Sequence, residues 1–148
     1  MNIKIVYDYN RNKLDFTDKN GIRFNLDLRG TITIIDGLSG SGKTMLTNSL
    51  KSMQKNRENL TGYDLSNIRF IDSQQQDIKD DNALYILDRA DTFLNDDICA
   101  RISSCENARF LIFARSAYNL FVSPNHFGEF RRNKNEISIV YSYSEPRW

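Results

Sequence analysis

The sequence predicts an α/β fold, with a mostly parallel sheet flanked by helices, antiparallel strands at the N-terminus and a C-terminal hairpin. Three observations predict it. Short apolar runs alternate with segments of helical period through the middle of the chain. Alternating apolar and polar residues precede and follow this middle part, as in half-buried antiparallel strands. The 148 residues, 40% of them hydrophobic, suit one core, so we expect residues 1–148 to form a single domain.

The predicted strands begin before residue 10. Met1 to Tyr9 alternates apolar and polar side chains, and the same period returns after the turn signal Asn20-Gly21. Both segments are therefore expected to form antiparallel strands. Thr31 to Asp36 is a β-branched run with little polar alternation, which is typical of a central strand covered on both faces. The apolar residues of the second segment are Ile22, Phe24, Leu26 and Leu28.

The elements beyond residue 42 complete the predicted alternation. Apolar residues at helical spacing predict two helices, one carrying Leu46, Leu50 and Met53 and the other carrying Ile98 and Ile102. Three more apolar runs predict strands, and a turn near residue 134 predicts a terminal hairpin. The three strands are Ile68 to Ile71, Ala83 to Leu87 and Arg109 to Ala114, and the hairpin strands are Phe127 to Arg132 and Ile137 to Tyr143.

Charge and composition exclude several classes of protein. Twenty basic and nineteen acidic residues give a net charge of +1, so no global positive field attracts nucleic acid or anionic lipid. Neither a signal peptide nor an apolar run of roughly 20 residues occurs, which predicts a cytoplasmic protein without a membrane partner. Cys99 and Cys105 fit neither a zinc site nor a redox motif, and we interpret them as small apolar residues.

The segment 37–44 fits the pattern GxxxxGK[ST] and lies between a predicted strand and a predicted helix. Its glycines allow a tight turn whose N–H groups wrap a phosphate, beside the positive end of the helix dipole. Lys43 is expected to contact the β- and γ-phosphates, and Thr44 to ligate Mg²⁺. A glycine-rich turn without a ligand is the alternative. The predicted phosphate-binding residues are Gly37, Leu38, Ser39, Gly40, Ser41, Gly42, Lys43 and Thr44.

With this motif the chain resembles a P-loop NTPase, with a Walker A motif at residues 37–44. The apolar run ending at Asp88 resembles a Walker B motif, and the resemblance implies that Asp88 organises Mg²⁺. The order of elements is most similar to a minimal ABC/AAA-like or recombination-type ATPase that lacks the helical signature subdomain. ATP and Mg²⁺ are the implied cofactors. The alternative role of Asp88 is to cap the next helix.

The catalytic residues implied by the resemblance are Lys43, Asp88, Asp91 and Arg115. These ATPases place a glutamate after the Walker B aspartate, whereas this chain has Arg89, so Asp91 is the nearest carboxylate that could activate water. Arg115 ends a strand where related ATPases keep a polar sensor of the γ-phosphate. Arg89 has three open roles: donor to phosphate, arginine finger on a neighbouring subunit, or partner of the surrounding aspartates.

Weaker candidates lie elsewhere in the chain. The resemblance implies that Tyr9 or Phe16 stacks on adenine, that one of Gln74 to Gln76 reaches Mg²⁺ or water, and that His126 is a γ-phosphate switch. Core packing, a solvated loop and an ordinary loop histidine are the respective alternatives. A small basic patch could hold single-stranded nucleic acid or form a solvated hairpin rim. The patch contains Arg131, Arg132 and Lys134.

The expected function is therefore a magnesium-dependent ATP switch with weak hydrolysis, raised when a protein partner or a second copy of the chain supplies a missing group. The absence of an Asn-Lys-x-Asp guanine motif favours ATP over GTP. A small-molecule or nucleotide kinase is one rival, although Arg101 alone stands where an arginine-rich lid is expected. A non-hydrolysing module, stabilised by nucleotide, is the other.

Overall fold

A computed structural model describes residues 4–36, 42–55, 62–73, 76–116, 120 and 126–141. These residues contain eleven β-strands, two α-helices and one 3-10 turn at Ala90–Thr92. The helices are α1 (Lys43–Lys55) and α2 (Asp96–Ser103). The strands are β1 (Lys4–Ile5), β2 (Tyr7–Asp8), β3 (Lys13–Thr17), β4 (Arg23–Asp27), β5 (Ile32–Asp36), β6 (Tyr63–Asp64), β7 (Ile68–Ile71), β8 (Leu84–Leu87), β9 (Arg109–Ala114), β10 (Phe127–Asn133) and β11 (Glu136–Tyr141).

Nine of these strands form one mixed sheet in the order β2-β3-β4-β11-β10-β5-β9-β8-β7. We call β5, β9, β8 and β7 the parallel half, because each pairs in parallel with its neighbours within this group. We call β2, β3, β4, β11 and β10 the antiparallel half, since three of its four internal pairings are antiparallel. Strand β10 joins the halves by pairing with β5. The short strands β1 and β6 form a separate two-stranded sheet.

The predicted fold class, a P-loop NTPase core with a mostly parallel sheet flanked by helices, is wrong. The sheet is mixed, and the described residues contain only two α-helices against eleven strands. The C-terminal hairpin β10–β11 does not flank the sheet but lies inside it, between β4 and β5. In addition, the described residues between β7 and β8 contain no helix, so strands and helices do not alternate regularly.

Individual elements agree better with prediction than the architecture does. Strands β7 and β9 have the predicted bounds, and α1, β8 and the terminal hairpin are found where expected. The single strand predicted over the first nine residues is two short strands, because β1 pairs with β6 whereas β2 pairs with β3. Strand β3 was missed, although Leu14 and Phe16 alternate with polar residues and are buried.

The core consists of two apolar clusters, one on each face of the parallel half. On one face Leu46 and Leu50 of α1 join a cluster that contains Ile35. On the other, Ile98 and Ile102 of α2 pack in a cluster with residues such as Tyr85. Because both faces are covered, most side chains along these strands are apolar, and carboxylates such as Asp36 and Asp88 occur at or just beyond the strand ends. Neither helix in the described part of the chain has the length and apolar character needed to span a membrane.

Candidate functional site

The carboxyl ends of β5, β8 and β9 meet at one edge of the sheet. The register pairs Asp36 with Ala114 and Leu87 with Ile112, so Asp36, Asp88 and Arg115 all lie at this edge. Ligands of parallel sheets commonly bind outside the carboxyl ends of the strands. A cleft of about 470 Å³ opens there. Its lining residues are Lys43, Thr44, Asp88, Arg89, Asp91, Thr92, Phe113 and Arg115.

Gly42 places the start of α1 against the antiparallel half. It has a φ of 110°, and a Cβ atom there would lie 2.8 Å from Cδ1 of Ile137. Its carbonyl accepts the N–H of Leu46 at 2.9 Å, the first hydrogen bond of the helix. A residue larger than glycine would disturb both the backbone and this packing. Gly42 therefore brings Lys43 and Thr44, the first two residues of α1, to the cleft.

Lys43 is the most unusual ionisable group of the cleft. Its Nζ atom is buried and has no hydrogen-bond partner in the described part of the chain. Burial lowers the pKa of this ammonium, and the nearby carboxylates of Asp36 and Asp88 offset only part of the effect. A buried cation without a partner is costly, and an anion bound at Nζ would remove that cost.

The segment after β8 forms a tight turn that is attached to the end of β9. Arg89 has φ 52° and ψ 43°, the left-handed region. The N–H and the hydroxyl of Thr92 donate to the carbonyl of Arg89, at 3.0 and 2.8 Å. Oδ1 of Asp91 accepts the backbone N–H of Arg115 at 3.2 Å. Asp91 therefore has a structural role, because it links the turn to the residue that follows β9.

Two arginines line the cleft in addition to Lys43. Arg89 and Arg115 are exposed, and within the described residues neither guanidinium forms an ion pair or a hydrogen bond. Together with Lys43, they give the cleft three cations that no carboxylate pairs with directly. Asp88 and Asp91 contribute negative charge to the same lining. The combination of unpaired cations with a few carboxylates is suited to a phosphate chain carrying a divalent metal ion.

The five predicted catalytic and metal residues line this one cleft: Lys43, Thr44, Asp88, Asp91 and Arg115. Sequence reasoning missed Thr92 and Phe113 as lining residues and Asp36 as a neighbouring charge. Asp36 could have been found from the sequence, because it is the last residue of a buried strand. Asp88, which was predicted, comes directly after another buried strand. The predicted phosphate-binding residues Gly37, Leu38, Ser39, Gly40 and Ser41 lie outside the described residues.

The predicted metal ligands Thr44 and Asp88 share the cleft lining. No group of three or more His, Cys, Asp or Glu side chains suited to a metal ion occurs among the described residues. Mg²⁺ does not require such a group, because it is usually held by one or two carboxylates together with substrate phosphates and water. The donor set of the cleft therefore fits a Mg²⁺ ion that arrives with a phosphate ligand.

The aromatic residues predicted to stack on adenine lie elsewhere. The hydroxyl of Tyr9 donates to the carbonyl of Asn107 at 2.6 Å, and the guanidinium of Arg109 lies 4.6 Å from the centre of its ring. These contacts are at the start of β9, the opposite edge from the cleft. Phe16 is buried and stacks on Phe24 with ring centres 5.1 Å apart. Neither residue lines the cleft, and their contacts agree with the alternative of core packing.

Gln76 and His126 also serve structural roles. The Gln76 side chain donates to Phe70 O at 3.4 Å and accepts from the N–H groups of Asp72 and Ser73, at 2.5 and 3.0 Å. It therefore covers the open edge of β7 rather than reaching the cleft. His126 packs against Gly30, before β5 begins, and does not line the cleft. Gln74 and Gln75 lie outside the described residues.

The basic patch of the terminal hairpin is partly satisfied by its own neighbours. Arg131 pairs with Glu129 at 3.3 Å, and Nε of Arg132 donates to the carbonyl of Lys134 at 2.9 Å. A role of this patch in nucleic-acid binding stays a prediction.

No protein-family model, curated protein or solved structure matches this chain. The resemblance to a P-loop NTPase is not supported by any match, and the mixed sheet with two described helices contradicts it. The cleft and its side chains are therefore the features that indicate a function.

Proposed function

We propose that the protein binds a nucleoside triphosphate with Mg²⁺ in the cleft at the carboxyl ends of β5, β8 and β9. The observation that carries the proposal is the group of three cations, Lys43, Arg89 and Arg115, which line one cleft without a direct partner among the described residues. A phosphate chain would neutralise all three. It would also supply Nζ of Lys43 with the acceptor that the described protein atoms do not provide.

The role proposed for each residue follows from its position in the cleft. Lys43 and the first turn of α1 would hold phosphate oxygens, because the N-terminal N–H groups of a helix have no intrahelical acceptor. Thr44 and Asp88 would orient the metal ion. Mg²⁺, when bound, would neutralise charge on the phosphate oxygens. Arg115, held through its own N–H by Asp91, would donate to the phosphate chain from the side of β9.

ATP is the first nucleotide to test. The cleft volume of about 470 Å³ is within the range of small-molecule sites, which is roughly 300–1,000 Å³. The sequence has no guanine-recognition motif, which favours adenine. We also propose that the protein is located in the cytoplasm, where magnesium nucleotides are abundant.

We further propose that hydrolysis is slow in the isolated chain. One oxygen of Asp91 is used by the N–H of Arg115, so the carboxylate proposed to activate water is not free to turn toward it. A partner or a second copy that supplies a carboxylate or an arginine would raise the rate, and the bound nucleotide would then act as a switch.

Titration calorimetry with ATP and Mg²⁺ tests the binding proposal, with Lys43→Met as the variant and Lys55→Met as the matched control. Lys55 is the exposed last residue of the same helix. We expect Lys43→Met to weaken binding about 100-fold, the effect of a charge-assisted hydrogen bond, and Lys55→Met to leave it unchanged. No binding by the wild-type protein, or equal effects of the two substitutions, would contradict the proposal.

The products formed from ATP separate three possible functions: an ATPase, a kinase and a non-hydrolysing module. Slow release of inorganic phosphate, raised by a partner, is the expected result. Phosphate transfer to nucleosides or small alcohols would instead identify a kinase. Binding without release of phosphate under any condition would leave the non-hydrolysing module, with Lys43→Met abolishing the stabilisation by ATP.

A further inference from the structure

We propose that Arg89 makes the cleft selective for a nucleoside triphosphate over the corresponding diphosphate by donating to the terminal phosphate. This inference rests on the proposed function. Its starting observation is the backbone of Arg89, whose φ of 52° and ψ of 43° lie in the left-handed region. A residue with a Cβ atom is disfavoured there, so neighbouring interactions must hold the conformation.

Three features hold the turn that contains Arg89. Thr92 donates twice to the Arg89 carbonyl, through its N–H at 3.0 Å and its hydroxyl at 2.8 Å. Ala90 is fully buried. Asp91 accepts the N–H of Arg115 at 3.2 Å, which attaches the turn to the end of β9. Several neighbouring contacts therefore hold the strained backbone in place, as is common at ligand sites.

The side chain of Arg89 has no structural task that would explain an arginine at this position. It is exposed, and it makes no hydrogen bond or ion pair within the described part of the chain, although Asp88 precedes it and Asp91 follows two residues later. Glycine or asparagine would adopt the same φ with less strain. A strained cation without a partner, in the lining of a cleft, indicates that its partner is a ligand.

The position of Arg89 relative to Lys43 favours the terminal phosphate. Lys43 Nζ is buried, whereas Arg89 is exposed. With Lys43 and Arg115 assigned to the phosphate chain and Asp88 to the metal ion, Arg89 is the cation left for the additional phosphate. A triphosphate has this extra charged group and a diphosphate does not, so the contribution of Arg89 should appear in the ratio of the two affinities.

The test compares Arg89→Gly with Lys134→Gly. Lys134 is also an exposed cation with a left-handed backbone, φ 58°, but it lies outside the cleft lining. Both substitutions therefore remove one positive charge and relieve the same kind of backbone strain. In calorimetric titrations with magnesium present, we expect Arg89→Gly to weaken ATP binding about tenfold and ADP binding by less than about threefold. Lys134→Gly should change neither affinity.

Arg89→Asn provides a second variant, because asparagine tolerates the left-handed conformation and keeps a side chain at the position. It should repeat the loss that is specific to ATP, with a melting temperature at or above that of the wild type in both Arg89 variants. Equal weakening of ATP and ADP, or no weakening, would overturn the role of Arg89 while the wild-type protein still binds nucleotide. A wild-type protein that binds neither nucleotide would overturn the proposed function as well.

Discussion

The two halves of the sheet differ in whether their charged side chains are paired. In the antiparallel half, charges are paired across neighbouring strands: Arg23 contacts Asp15 at 2.8 Å and Glu136 at 3.8 Å, and Lys13 contacts Asp27 at 3.8 Å. In the parallel half, the cations at the carboxyl edge have no such partners among the described residues. Paired charges neutralise each other within the protein, whereas charges left without protein partners are available to a ligand.

The difference follows from strand geometry. Residues that face each other in an antiparallel pair, such as Lys13 and Asp27, are close enough for their side chains to interact along the length of the strands. Parallel strands covered on both faces have apolar side chains along their length, so their polar residues collect at one edge. Because three strands end at that edge, the polar residues converge on one cleft rather than pairing in rows.

The largest expected effect comes from the contact between Gly42, which precedes α1, and Ile137 of the antiparallel half. Gly42→Ala would introduce a Cβ atom 2.8 Å from Cδ1 of Ile137, in a backbone with a φ of 110°. We expect a loss of about 3 kcal/mol in the free energy of unfolding, because backbone strain and overpacking add. Chemical denaturation of the variant and the wild type measures this difference.

Two controls separate the components of that loss. Gly21→Ala changes a glycine with a φ of 82° that has no heavy atom within 4 Å of the new Cβ, so it should cost only about 1 kcal/mol. Adding Ile137→Val to Gly42→Ala removes the clashing Cδ1 atom and should restore part of the stability. If the double variant is no more stable than Gly42→Ala, packing between Gly42 and Ile137 does not place the start of α1 against the antiparallel half as described.

A smaller effect is expected from Asp88, the carboxylate that follows β8 in the cleft lining. Asp88→Asn should weaken ATP binding about tenfold when magnesium is present, because one ligand of the metal ion is lost. Without magnesium the same change should not weaken binding, since it removes a negative charge beside a polyanion. Asp27→Asn, in the antiparallel half, should have no effect under either condition. An equal loss with and without magnesium would contradict the metal-binding role of Asp88.

Part of the fold was predictable because it depends on local patterns. The run over residues 31–36 and the period of Leu46, Leu50 and Met53 predict β5 and α1 correctly, since burial of one or both faces dictates where apolar residues occur. The order of strands was not predictable in this way. Alternation in β10 and β11 indicates a hairpin, but it does not say which strands lie beside it, and the structure inserts the hairpin between β4 and β5.

In the candidate site, too, residues marked by local patterns were predicted, whereas contacts between distant residues were not. Lys43 and Thr44 were predicted from the GxxxxGK[ST] pattern and Asp88 from the apolar run that it follows, and all three line the cleft. The contacts of Tyr9 were not predictable, because an aromatic residue can pack, stack or donate and only its tertiary neighbours decide which. Its hydroxyl donates to the Asn107 carbonyl, 98 residues away in the sequence. Contacts of this range leave no periodic signal in the chain.

A further prediction concerns the stability of the ligand-free protein. Because burial lowers the pKa of Lys43 and its Nζ has no partner among the described residues, we expect Lys43→Met to raise the melting temperature by roughly 3 °C. The free-energy cost of burying the charged Lys43 ammonium applies in full while Nζ is protonated. As the pH rises through the lowered pKa of Lys43 toward the ordinary lysine value of 10.5, the folded protein loses this proton before the unfolded protein does. The free-energy cost of the buried charge is then removed.

The stability gain of Lys43→Met should therefore be largest near neutral pH and should shrink as the pH approaches 10.5. Melting curves of both proteins between neutral and alkaline pH measure this trend. Lys55→Met is the control, because Lys55 is exposed at the other end of α1. A gain that is independent of pH would mean that the methionine packs better, and that the buried charge of Lys43 is not the cause.

The smallest expected effect concerns the paired charges of the antiparallel half. Arg23 donates to Asp15 from Nε and Nη2, at 3.0 and 2.8 Å, and this interaction lowers the pKa of Asp15. Both side chains are well exposed, so water screens the pair and little stability is gained from it. We expect Arg23→Met to leave both the melting temperature and ATP binding unchanged. A clear loss of ATP affinity in this variant would mean that charges of the antiparallel half also act on the ligand, and the division between the two halves would no longer hold.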